Sequence, residues 1–176
     1  MRHGKVSLKR ATPLFLGVLV LASVGQSAHA QAEDQTDEAL RVFQTVCLAT
    51  LPRHSNVQPQ IDSIATDWEV ESLPQLYTNF YRKGMQIEVS DDHPLQDQFF
   101  CNVSVAQADR KRLAAELPGL VQSVTGESPK AGTADFDYGS WRILSDEGIV
   151  HFGAMPYQDG AVSGGATLTI VRNDFE

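Results

Sequence analysis

The sequence predicts a single α+β domain: N-terminal helices followed by an antiparallel sheet of five to six strands, with one helix inserted midway. Three observations carry this. Phe99, Cys101, Val103 and Val105 alternate with Phe100, Asn102 and Ser104, the period of a strand with one buried face. Leu40, Phe43, Cys47 and Leu51 recur at three- and four-residue spacing, one apolar face of a helix that ends before Pro52. The chain's two cysteines fall on these two apolar faces.

The first 30 residues read as a secretory signal peptide. Arg2, His3, Lys5, Lys9 and Arg10 form a basic start, Pro13 to Ala22 an apolar core, and Ala28-His29-Ala30 a small-x-small cleavage site. The apolar run is shorter than the roughly 20 residues a membrane-spanning helix needs. Cleavage after Ala30 leaves residues 31–176 as one α+β domain, 146 of the 176 residues, enough for a proper core. This places the mature chain in the periplasm or outside the cell, with no membrane attachment after cleavage.

The leader holds four of the 14 Lys and Arg residues and no acid, so the mature chain has 10 basic against 22 acidic side chains, a formal charge of −12. Such a balance disfavours nucleic acid and anionic membranes and suits a cationic partner. In an exported protein, two cysteines point to a disulfide, Cys47–Cys101, rather than to a catalytic or metal pair.

Taken in order, residues 31–36 are a flexible lead-in, after which Thr36 or Asp37 can cap the first helix and Asp37 and Glu38 suit its positive end. Arg53 to Gln60 reads as a loop. Ile61, Ile64, Ala65 and Trp68 suggest a second, shorter helix, stopped around Glu71 to Pro74. Leu76 to Tyr81 is aromatic enough for a strand, and Met85-Gln86-Ile87-Glu88-Val89 alternates cleanly as another. Ser90 to Pro94 turns the chain into a strand over Leu95 to Val105. Ser104 to Gln107 has capping-box spacing and opens a helix whose stripe is Leu113, Leu117, Leu120, Val121 and Val124, with Pro118 expected to kink or split it. Gly126 to Gly139 is a surface connection. Strands follow over Ser140–Leu144, Ile149–Tyr157 and Ala166–Arg172, the last two joined by a glycine-rich loop.

No catalytic set stands out. His54, His93 and His151 are the mature chain's histidines, and none has metal-ligand spacing with another or with a cysteine. His93 follows Asp91 and Asp92 in what is also an ordinary turn composition. His151 lies in a strand, on the face opposite Val150 and Phe152. Asp135/Asp137 and Asp146/Glu147 lack the glycine and distal glutamate of a calcium loop. Gly160 to Gly165 has neither a phosphate-loop lysine nor a strand-then-helix setting, so no cofactor is implied. Trp68, Tyr77, Phe80, Tyr81, Trp141 and Tyr157 are many aromatics for one domain, and any that cluster on the surface mark a binding patch.

Phe43-x-x-x-Cys47-x-x-x-x-Pro52 resembles the opening of small, functionally uncharacterised exported proteins of proteobacteria. The resemblance spans about a dozen residues. It implies an exported bacterial domain with a helix-borne cysteine and carries over no activity or ligand.

The functional expectation is a disulfide-stapled binding or structural module acting on another periplasmic protein, for instance as an inhibitor of a cationic enzyme such as a lysozyme. The competing class is a small periplasmic hydrolase whose site assembles from His54, His93, His151 and the loop acids. Geometry separates the two: a hydrolase needs two of these groups within hydrogen-bond reach in a pocket.

Overall fold

Among the described residues, alternating burial builds one eight-stranded antiparallel sheet. The computed structural model describes residues 33–51, 57–74, 76–90, 98–132, 139–144, 148–156 and 165–174. The strands are β1 (Glu69–Leu73), β2 (Tyr77–Arg82), β3 (Met85–Ser90), β4 (Gln98–Val105), β5 (Lys130–Ala131), β6 (Gly139–Leu144), β7 (Gly148–Pro156) and β8 (Ala166–Asp174). Their spatial order is β1-β2-β3-β4-β8-β7-β6-β5. The last strand therefore enters the middle, joining the two meanders through β4 and β7.

Register defines two faces. Val70, Phe80, Ile87, Val103, Leu168 and Ala154 lie side by side across six strands, and Val89, Cys101, Ile170, Phe152 and Trp141 form the row beside them. Helices α1 (Thr36–Val42), α2 (Val57–Ile64) and α3 (Arg110–Thr125), with a π-helical segment over Phe43–Leu48, complete the core on this side. Alpha-1 and the π segment pack on β4, and α3 packs on β7.

The π segment accounts for a stripe wider than helical spacing predicts. Val46, Cys47 and Leu48 are consecutive and at most 2% exposed, because β4, α2 and α3 all pack around this one stretch. Its widened turn is closed by the Ala49 N–H donating to the Gln44 carbonyl at 3.0 Å. Cys47 is thereby set over the centre of the sheet and bonded to Cys101, with Cα atoms 5.6 Å apart.

Several expectations need correction. The sheet has eight strands rather than five to six. Glu69–Leu73 is a strand that takes in most of the Glu71–Pro74 stretch expected to stop a helix, and Lys130–Ala131, expected in a connection, is a short one. All five residues of β1 are exposed, so it carries no alternation to read. The second helix ends at Ile64, before Trp68. Ser104 lies inside β4, paired with Gln86 and Thr167, so the capping-box spacing there is coincidental. Alpha-3 starts at Arg110, where Asp109 accepts from the Lys111 and Arg112 N–H groups at 3.0 and 3.1 Å. Pro118 neither splits nor ends that helix; burial of Leu113, Leu117 and Val121 holds it together through the missing N–H.

At the first helix, neither Thr36 nor Asp37 is the cap: Gln35 holds that position without a side-chain bond, and Asp34 just before it bonds the first helical residue. It accepts from the Thr36 N–H at 3.0 Å and the Thr36 hydroxyl at 2.5 Å, while Thr36 Oγ1 accepts from the Asp109 N–H at 2.8 Å. The starts of α1 and α3 are thus tied together. The Ser90–Pro94 turn, apart from Ser90, lies outside the described residues, as do residues 1–30, expected as a signal peptide, Tyr157 and the glycines from Gly160 to Gly164.

Candidate binding surface

The face opposite the helices is polar. Its rows run Glu69–Tyr81–Gln86–Ser104–Thr167–Met155, Glu71–Asn79–Glu88–Asn102–Thr169–Gly153–Ser140, and Leu73–Tyr77–Ser90, which the Ser90 hydroxyl continues through hydrogen bonds with the Phe100 backbone into Phe100–Val171–His151–Arg142. Each row alternates in the chain with a core row, so the same period that buries Ile87 and Val103 turns Glu88 and Asn102 outward.

Side chains on this face bind one another across strands. Thr169 Oγ1 donates to Asn102 Oδ1 at 2.6 Å, and Asn102 Nδ2 donates to Glu88 Oε2 at 2.9 Å. Gln86 Nε2 donates to Asn79 Oδ1 at 3.2 Å, Ser104 and Thr167 share a hydroxyl bond of 2.8 Å, and Tyr81 OH donates to Glu71 Oε2 at 3.2 Å. The short side chains Asn79, Ser90, Ser104, Thr167 and Thr169 are buried, while Tyr77, Tyr81, Gln86, Glu88 and Asn102 stand half-buried among them. Burial, the hydrogen bond to Glu71 and that carboxylate's charge push the Tyr81 phenol above its ordinary value.

Charge divides this face. On β1, β2 and β3 its ionisable groups are Glu69, Glu71 and Glu88, with Tyr77 and Tyr81 between them. The single basic residue of those strands, Arg82, points to the other side, where it pairs with Asp67 at 3.4 Å and Glu38 at 3.6 Å and lies 6.0 Å over the Trp68 ring. Beyond β8 the sign reverses: Arg142 on β6 pairs in register with Lys130 on β5 and with His151 on β7.

Among the described residues, open clefts lie at both ends of the sheet. One, of about 350 Å³, is lined by Asp67, Glu69, Tyr81, Arg82 and Lys83 at the start of β1. The other, of about 340 Å³, is lined by Glu127, Ser128, Lys130, Arg142, Ile143, Leu144 and Ile149.

His151 sits half-buried on the polar face, opposite Val150 and Phe152 as the alternation predicts. Its Nδ1 has no hydrogen-bond partner among the described residues. Burial and then the Arg142 charge hold its pKa below the usual histidine value. No carboxylate bonds to it among the described residues, whereas a general base in a hydrolytic pair needs an orienting partner. His54, His93, Asp135, Asp137, Asp146 and Glu147 lie outside the described residues. Among those described, no three His, Cys, Asp or Glu side chains come together as a metal site, and no helix is long and apolar enough to cross a membrane.

Of the aromatics, Phe80 is core, Trp68 and Trp141 pack against the core's edge, and Tyr77 and Tyr81 join the polar face. What sequence reading missed is the acidic gathering on that face. Glu69 and Glu71 carry no alternation signal, and only register brings Glu88 into line with Glu71. Comparisons with protein-family models, curated proteins and solved structures found no match.

Proposed function

We propose that the protein is an exported, disulfide-stapled binding module that recognises a cationic protein through the β1–β3 end of its polar sheet face. One observation carries this reading: Glu69, Glu71 and Glu88 share that surface with Tyr77 and Tyr81, while Arg82 is turned away and held by Glu38 and Asp67. Acidic groups interleaved with tyrosines provide charge complementarity and rigid amphipathic contact area together. The Asn102 and Tyr81 hydrogen bonds hold Glu88 and Glu71 in place before a partner arrives, which lowers the ordering cost of binding. The staple supports export, since disulfides persist in oxidising compartments. The formal charge of −8 for the whole chain, and −12 after the leader, steers a basic partner toward it.

The test is a parallel capture from periplasmic extract with the wild-type protein and an E69Q/E71Q/E88Q variant, at low and moderate salt. The expected result is a basic protein retained by the wild type and released by the variant. Equal retention by both, or no retention by the wild type at low salt, contradicts the reading.

A further inference from the structure

The two edges of the sheet are unlike each other. Beta-5 is two residues long, and very short edge strands are one of the ordinary ways of blunting an edge. Beta-1 is five residues long, all exposed, and β2 is its one sheet neighbour among the described residues. Half of its backbone N–H and C=O groups therefore face outward, as the strand's geometry requires. Of the four exposed large apolar residues among those described, three gather here: Val70 at 57%, Leu73 at 39% and Leu76 at 52% exposed. The edge lacks lysine and a bulge, and Pro74 follows β1 rather than interrupting it.

The side chains of β1 indicate what would pair with it. Glu69 and Glu71 project to the polar face and Val70 to the other, since Glu69 is paired with Tyr81 and Val70 with Phe80. A second copy pairing antiparallel about Glu71 would set the two Glu71 side chains opposite each other. Pairing about Val70 would set Glu69 against Glu71. Like charges directly opposite are destabilising, so the edge disfavours itself in both of these registers. It matches instead a strand whose every second residue is basic and whose intervening residues are apolar.

We propose that β1 is a docking edge, on which an extended segment of alternating basic and apolar residues from the cationic partner adds to the sheet as a further strand. This rests on the reading above and specifies how the partner is held. Main-chain hydrogen bonds to β1 supply affinity, the basic side chains lie over Glu69 and Glu71, and the apolar ones lie beside Val70. Five residues of β1 span about 17 Å, the length of a five- or six-residue peptide.

The test uses a blocked hexapeptide of alternating lysine and valine as the probe. A version with alternate backbone nitrogens methylated on the edge meant to face β1 serves as control, and amide exchange and chemical shifts are followed by NMR. The proposal predicts at least tenfold slower exchange of outward-facing β1 amides with the unmethylated peptide. It predicts loss of that protection with the methylated one, and roughly tenfold weaker binding to an E69K/E71K variant. Absence of β1 protection, or equal binding of both peptides, overturns strand addition. If the peptides fail in this way while the E69Q/E71Q/E88Q variant still releases a basic protein, the edge proposal falls and the binding-module reading stands.

Discussion

Breaking the Cys47–Cys101 bond is the perturbation whose cost is best fixed by the structure. The bond closes a sequence separation of 54 residues, for which loop-closure entropy gives a stabilisation of about 4 kcal/mol, with measured values more often about 2–4. Both residues are 0% exposed, and reduction replaces the bond with two small thiols that an apolar core accepts, so most of the effect falls on the unfolded chain. With a urea dependence of about 2 kcal/mol per molar for a domain of this size, reduction should lower the unfolding midpoint by about 1–2 M. It should also raise the slope slightly, because the unlinked chain exposes more surface. Equilibrium urea unfolding with and without reductant measures both. A midpoint shift below about 0.5 M with unchanged slope would refute the argument, since the span from the π segment to β4 would then be fixed by packing alone.

Three further predictions test other parts of the structure. A Cβ at Gly119 meets nothing within 4 Å, so Gly119→Ala should stabilise α3 by about 0.5–1 kcal/mol, whereas Gly126→Ala, at φ 77° in the helix C-cap, should destabilise by about 1 kcal/mol; thermal unfolding distinguishes the signs. Asn102→Ala leaves the buried Thr169 hydroxyl and the Glu88 carboxylate without their bonds, a loss of about 1–3 kcal/mol that Thr169→Val in the same background should partly relieve. Because the folded pKa of His151 lies below its unfolded value, the unfolded chain takes up the proton first as pH falls. Stability contributed by neutral His151 is therefore present above about pH 6.5 and declines below it, toward the folded pKa. Urea midpoints across that window should fall more steeply for the wild type than for His151→Gln.

Legibility in the sequence followed the periodicity. Met85 to Val89 and Phe99 to Val105 could be read because each strand has one buried and one polar face, and the cysteine pairing because only two cysteines exist. Beta-1 was illegible because an exposed edge strand has no buried face to impose alternation. The π segment was hidden because packing from three directions, not helix propensity, buries Val46 to Leu48 together. Ser104 to Gln107 shows how a four-residue spacing signals a cap only when the chain there is free to start a helix; strand pairing on both sides of Ser104 overrides it. The polar face was half legible. Alternation turns Glu88, Asn102 and Thr169 outward, but strand order alone places Asn102 between the other two, 14 residues from one and 67 from the other.

The most direct measurement of the central claim is NMR shift mapping of the isotope-labelled protein, residues 31–176, titrated with lysozyme as a cationic protein probe. The account predicts shifts gathered on Glu69–Leu73, Tyr77–Arg82 and Met85–Ser90, weakening as salt rises. Shifts gathered on α3, or at the Lys130 and Arg142 end of the sheet, or none at low salt, would contradict it.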